Sequence, residues 1–385
     1  MIPYSRQDIS ADDIEAVSAV LRADFVTQGP AIPAFEKAFA GRHQVAQAVA
    51  VSNATAGLHL ACLALGVGRG SLVWTSPNSF VASANCALYC GASIDFVDIE
   101  PVTRNMSVEA LQNKLQAARV VGRLPDVVIP VDFSGLSCDL AAMRALADQY
   151  GFRLLEDASH ATGATYQQRP VGSAFAHASV FSFHAVKIVT TAEGGIVTTN
   201  DEQTAHRLRL LRSHGMTRDP LEMERESEGG WYYEQQVLGY NYRMTDLQAA
   251  LGLSQLARLD SMQRRRAALA DRYDVLLAHL PLQLPARLPD RQSAWHLYAV
   301  EIDETRTRKT RAAVYGDLRE AGIGINVHYI PIHTQPYYAR LGFKRGDFPA
   351  SERYYARTLS IPLFPALTDE QQDFVAQTLA RAVGG

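Results

Sequence analysis

The chain has 385 residues, 47% of them hydrophobic and 20% charged, with a formal net charge of −3. This supports a substantial core and two domains at roughly 100–200 residues each. It offers no excess of positive charge for holding nucleic acid or an anionic membrane surface.

The start, Met1-Ile2-Pro3-Tyr4-Ser5-Arg6, lacks the basic and apolar regions of a secretion signal. No apolar run is long enough to span a bilayer, so the expected location is cytoplasmic. Ser10 and Asp13 make a capping pair ahead of Ile14, Val17 and Leu21, which predicts a helix. Asp24 to Pro30 reads as an irregular linker, and a second helix is expected over 33–42. From Ala46 short strand-like runs alternate with helices. The strands are expected at 48–52, 71–75, 93–97, 126–131, 153–157, 178–183 and 195–199. Helices at 54–65, 108–117 and 140–149 lie between them. The pattern predicts an α/β fold with a large, mostly parallel sheet and helices on both faces. Ligands bind such sheets at the carboxyl ends of the strands, where Asn53, Asp157 and Ser182 sit.

Thr245 and Gln248 form a second capping pair, and the helix they start is expected to lead out of the large domain. The division expected is 1–250 for the large domain and 251–385 for a small C-terminal α+β domain. Within the latter, strands are expected at 296–302 and 325–329 and a helix near 308–320. Cys62, Cys86, Cys90 and Cys138 contain no CxxC pair and read as reduced thiols. His328 and His333 flank Pro331 without acidic or cysteine partners at metal spacing, so no metal site is expected. Gly66 to Gly70 follows a helix instead of opening one, which suits a turn better than a nucleotide loop.

Lys187 is the residue with the most chemical content. It stands among Phe181, Phe183, Val186, Ile188 and Val189, where burial favours the neutral, nucleophilic amine. Asp157 ends a strand-like run 30 positions earlier. A lysine that forms a Schiff base and a carboxylate that keeps a pyridine nitrogen protonated are the two groups pyridoxal 5′-phosphate (PLP) needs most. Asp157 could equally cap the segment after it. Asn53, Ala54 and Thr55 open a helix whose free amides suit a phosphate, and Ser182 adds a hydroxyl. Ordinary capping is the plain alternative for each. Phe80 could stack on a flat ring or simply pack in the core, and His160 could touch the ring or satisfy a local hydrogen bond. No role is readable for His184.

Taken together, 52–55, Glu156-Asp157-Ala158-Ser159-His160-Ala161, 182–187, Glu193-Gly194-Gly195 and 239–246 resemble the DegT/DnrJ/EryC1/StrS sugar aminotransferases, in family order and over nearly the whole chain. The resemblance implies a fold-type I PLP enzyme. Lys187 would be its internal aldimine (or free beside the pyridoxamine form, PMP), Asp157 the partner of the ring nitrogen, and Ser182 a phosphate ligand. It further implies a homodimer in which Asn241 reaches the neighbouring subunit's phosphate. Where many family members carry Gly before Glu-Gly-Gly, this chain has Ala192. With 212–216 and 327–329, that departure is similar to the subgroup that makes UDP-4-amino-4,6-dideoxy-N-acetyl-β-L-altrosamine for pseudaminic acid. The subgroup implies substrate contacts at Tyr4, Asp24, Phe25, Val26, Thr27, Val327, His328, Tyr329 and Ile330. L-glutamate would supply the amino group, and the 4-keto carbon of a UDP-linked 2-acetamido-2,6-dideoxy-hexos-4-ulose would receive it. A dTDP-linked or 3-keto sugar is the alternative within the family, and a non-catalytic PLP-fold binding protein the alternative outside it.

Overall fold

The computed structural model describes residues 1–384. All seven expected strands form, and they join one sheet. Its order is Gln47–Val51, Gly195–Thr199, Ala178–Ser182, Arg153–Asp157, Val127–Ile129, Leu72–Thr75 and Ser93–Phe96. Neighbours are parallel except that Gly195–Thr199 runs antiparallel to both strands beside it. The sheet is therefore mostly parallel, as its near-continuous apolar strands require when both faces are covered.

Alternation along each strand sends side chains to opposite faces. Val127, Ile129 and Leu155 pack with Leu58 and Cys62 of helix Ala54–Ala64 and with Cys86 of helix Ala82–Tyr89. Val128 and Leu154 point the other way, to Leu111 and Leu115 of helix Val108–Val120 and Met143 of helix Leu140–Tyr150. Phe35, Phe39, Phe181 and Phe183 form an edge-to-face cluster between helix Ala31–His43 and the sheet.

Register fixes where the site lies. Val51 and Ser182 both stand opposite Gly195, and Val180 stands beside Asp157. The carboxyl ends of three strands thus meet the amino end of the one reversed strand. Gly195 is glycine for a steric reason: an added Cβ would lie 2.7 Å from both Ala54 N and Asn53 C. Only a residue without a side chain lets that helix start approach the sheet so closely.

The expected boundary at residue 250 falls inside helix Asp246–Ala257. Leu256 of that helix, with Leu259 and Met262 of the next, belongs to the large core. The second core begins at Leu269 on helix Leu259–Leu277. It packs against a three-stranded antiparallel sheet and helices Arg311–Glu320 and Asp369–Gly384. The long helix therefore serves both cores, and the change comes between Met262 and Leu269. Glu301 of strand Tyr298–Ile302 ties the parts together. One oxygen accepts from Arg104 Nε at 2.9 Å and the other from Arg357 at 3.1 Å, with the Arg104 and Glu301 side chains only 3% exposed.

One expected strand is missing. At 325–329 only Asn326 makes a single bridge, to Ser360. Ile325 packs in the second core, and the consecutive residues Asn326 to Ile330 line a cavity.

Candidate active site

A cavity of about 870 Å³ opens at the strand ends. Asn53, Ala54, Thr55, Phe80, Asp157, His160, Ser182 and Lys187 line it, together with Tyr4, Val327, His328, Tyr329 and Ile330. These are residues that the sequence singles out, drawn from eight separate stretches of chain.

The helix start is built to hold an anion. Asn53 accepts from Ala56 N at 2.8 Å, and Gly57 N donates to Asn53 O. The amides of Ala54 and Thr55 have no partner among the described residues, and both residues face the cavity. Unpaired amides at a helix start carry partial positive charge and suit phosphate. Ser182 lies across the register from Gly195, with its hydroxyl on the same cavity.

Asp157 is held on both oxygens. Oδ2 accepts from Ser83 Oγ at 2.6 Å, and Oδ1 accepts from Ser159 Oγ at 2.6 Å and Ser159 N at 3.1 Å. Both readings of this residue therefore apply: it caps the Ser159 amide and presents a fixed carboxylate to the cavity. Ser83 is invisible to local sequence reasoning, being 74 positions away.

Lys187 ends a turn in which its amide donates to His184 O. Its amine faces the cavity, and desolvation pushes its pKa down to about 8, with Asp157 pulling the other way. Three imidazoles share its surroundings. His160 and His296 are held well below the ordinary histidine value and His328 falls to about 3, each first by burial and then by the positive charge of Lys187. His160 Nδ1 accepts from Ser134 N, so the proton sits on Nε2 and is donated to Tyr329 Oη at 2.9 Å. The Tyr329 hydroxyl proton is then free to point into the cavity. Burial raises the Tyr329 pKa, which keeps that proton in place. His296 went unnoticed in the sequence, as did Asn326, which bonds His328 Nε2.

Phe80 is 59% exposed, with its ring 6.5 Å from that of Tyr329. An exposed aromatic at a cavity wall is a surface for another flat ring. These donors, the carboxylate, the amine and the aromatic wall fit the phosphate, ring nitrogen, aldehyde and ring face of PLP.

Five expected site residues lie elsewhere. Asp24, Phe25, Val26 and Thr27 do not line the cavity; Phe25 and Val26 are exposed, and Thr27 bridges to Thr245. Asn241 is exposed and bridges to Ser213. Among the described residues no group of three or more His, Cys, Asp or Glu is arranged for a metal. His333, one of the two histidines near Pro331, bonds Glu352 instead. No described helix is long and apolar enough to cross a membrane.

Known proteins resemble the whole of this arrangement. The spore coat polysaccharide biosynthesis protein SpsC of Bacillus subtilis is 42% identical over 387 aligned residues, covering 100% of this chain and 97% of that protein. Among solved structures, PseC of Helicobacter pylori, an aminotransferase of pseudaminic acid biosynthesis, superimposes with a TM-score of 0.91 at 30% identity. It covers 100% of this chain and 99% of its own. The putative sugar aminotransferase Spr1654 of Streptococcus pneumoniae matches in its PMP form with a TM-score of 0.90 at 30% identity, over 99% of each chain. The same protein has also been solved in a PLP form. The model of the DegT/DnrJ/EryC1/StrS aminotransferase family matches residues 7–380. The chain, with its fold-type I architecture, is a member of the DegT/DnrJ/EryC1/StrS aminotransferase family.

Proposed function

We propose that this sugar aminotransferase moves an amino group from L-glutamate to the 4-keto carbon of a UDP-linked 2-acetamido-2,6-dideoxy-hexos-4-ulose. The product would be UDP-4-amino-4,6-dideoxy-N-acetyl-β-L-altrosamine. The observation that carries the chemistry is the meeting of Lys187, Asp157 and the free amides of Ala54 and Thr55 at one cavity. The likeness to PseC supports the choice of sugar.

When bound, PLP supplies an aldehyde carbon and a conjugated ring that takes up negative charge. Ala54, Thr55 and Ser182 would hold its phosphate, and Phe80 would cover a ring face. Asp157, fixed by Ser83 and Ser159, favours a proton on the pyridine nitrogen. Lys187 removes the proton from the α-carbon of glutamate, and in the second half delivers a proton to C4 of the sugar. The three neutral imidazoles and Tyr329 supply polar contacts without adding charge. Asn241, exposed in the single chain, reaches the phosphate of a second copy in a homodimer.

The test combines two measurements. Lys187→Ala should abolish borohydride trapping of PLP. Wild-type enzyme with glutamate and a panel of UDP- and dTDP-linked 3- and 4-keto sugars should give a mass-detected amino product with the UDP-4-keto sugar. Trapping that survives the substitution would overturn the role of Lys187. A product formed only from a dTDP-linked or 3-keto sugar, which the likeness to SpsC leaves room for, would overturn the choice of substrate.

A further inference from the structure

Two carboxyl groups are buried behind the site and face away from it. Asp132 is 0% exposed and Glu156 1% exposed. Each has one oxygen accounted for: Asp132 Oδ1 accepts from Cys138 N at 2.8 Å, and Glu156 Oε2 accepts from Ser179 Oγ at 2.5 Å. Each has one oxygen with no donor, Asp132 Oδ2 and Glu156 Oε1. Two acceptors cannot satisfy one another, and an unpaired buried carboxylate oxygen is costly. Val131 bridges Asp157 in parallel register, so alternation puts Asp132 and Glu156 on the same face of adjoining segments. One proton between the orphan oxygens resolves both deficits at once.

We propose that Asp132 and Glu156 share a single proton, and that this pair is a positioning device for Asp157. Backbone geometry makes the link. Asp132 N donates to Asp157 O at 3.1 Å, Asp157 N donates to Pro130 O at 2.9 Å, and Glu156 adjoins Asp157 in its strand. The paired carboxyls clamp, from the far side, the two segments whose near side carries Val131 and Asp157 into the cavity. The proton also limits the negative charge beside Asp157 to one. The other ionisable groups acting nearby are Cys138, buried and itself raised, and Arg291, which donates to Ser137 O. Neither supplies a donor to the orphan oxygens. Burial raises Asp132 well above the ordinary carboxylate value and raises Glu156 as well, which agrees with a retained proton.

Asp157 as the residue served rests on the PLP reading; the shared proton does not. The test therefore begins with infrared difference spectra of the cofactor-free protein at neutral pH, wild type against Asp132→Asn. Wild type should show the C=O stretch of a protonated carboxyl, shifted in D2O and lost in Asp132→Asn. Asp132→Asn, whose amide can donate to Glu156, should keep PLP affinity and kcat within about threefold of wild type. Asp132→Ala, which strands the Glu156 carboxylate, should lower kcat at least tenfold, with KM for the amino donor little changed. Absence of the band would overturn the shared proton. A band with equal losses in the Asn and Ala variants, or with none in either, would overturn the positioning role. Failure of the PLP reading would appear separately, as no PLP binding by wild type while the band persists.

Discussion

The Lys187 amine should titrate near pH 8 in the cofactor-free protein, and its reactivity should follow that titration. With a pKa of about 8, about one amine in ten is neutral at neutral pH; an ordinary lysine at 10.5 has about three in ten thousand neutral, roughly 300-fold fewer. The direction follows from burial, which disfavours the ammonium form. The assay is the initial rate of borohydride-trapped labelling by a simple aldehyde across pH, with peptide mapping to isolate Lys187 from the other lysines. The rate should rise through a midpoint near 8. Asp157→Asn should move that midpoint lower still, because Asp157 is the group that favours the charged amine. A midpoint at the ordinary lysine value, or an upward move on removing Asp157, would refute the dry, carboxylate-tempered site.

Gly195→Ala should cost about 1–3 kcal/mol of stability in chemical denaturation, since its Cβ meets backbone on Asn53 and Ala54. It should also weaken PLP binding at least about tenfold, read by titrating the absorbance of the bound form. Ala192 has φ of 64°, in the left-handed region, so Ala192→Gly should stabilise by about 1 kcal/mol, seen as a raised denaturation midpoint at unchanged slope. Arg104→Ala should cost about 3–5 kcal/mol, because it leaves Glu301 buried with one oxygen unpaired; an equilibrium unfolding curve within 1 kcal/mol of wild type would contradict this.

Much of this molecule can be read from local pattern. Strands 153–157 and 195–199 begin and end at the expected residues, and both predicted capping boxes form, at Ser10 and at Thr245. Capping and alternation are short-range, so sequence reports them well. What it misses are contacts made by folding. Ser83 and Ser159 both hold Asp157, yet only Ser159 is near it in the chain. The segment 325–329 has the alternation of a strand, but five consecutive residues, Asn326 to Ile330, line the cavity instead. The boundary expected at 250 lies inside one helix, and the next helix, Leu259–Leu277, packs on both cores with no composition shift between them. Asp24 to Thr27 and Asn241 do not line the cavity of the single chain, and periodicity is silent about such placement.

The cavity wall carries one cation, Lys187, against the carboxylates of Asp157 and Glu193, and no described arginine. The buried imidazoles of His160, His296 and His328 stay neutral well into the acid range. An incoming dianion, whether a diphosphate or a dicarboxylic acid, therefore meets Lys187 as the one full positive charge among the described residues of this wall. Its field falls on the amine and pulls a proton back onto it. Substrate occupancy and the protonation of the reacting amine are in this way one coupled equilibrium, and each substrate carries into the pocket part of the proton inventory that its own conversion draws on.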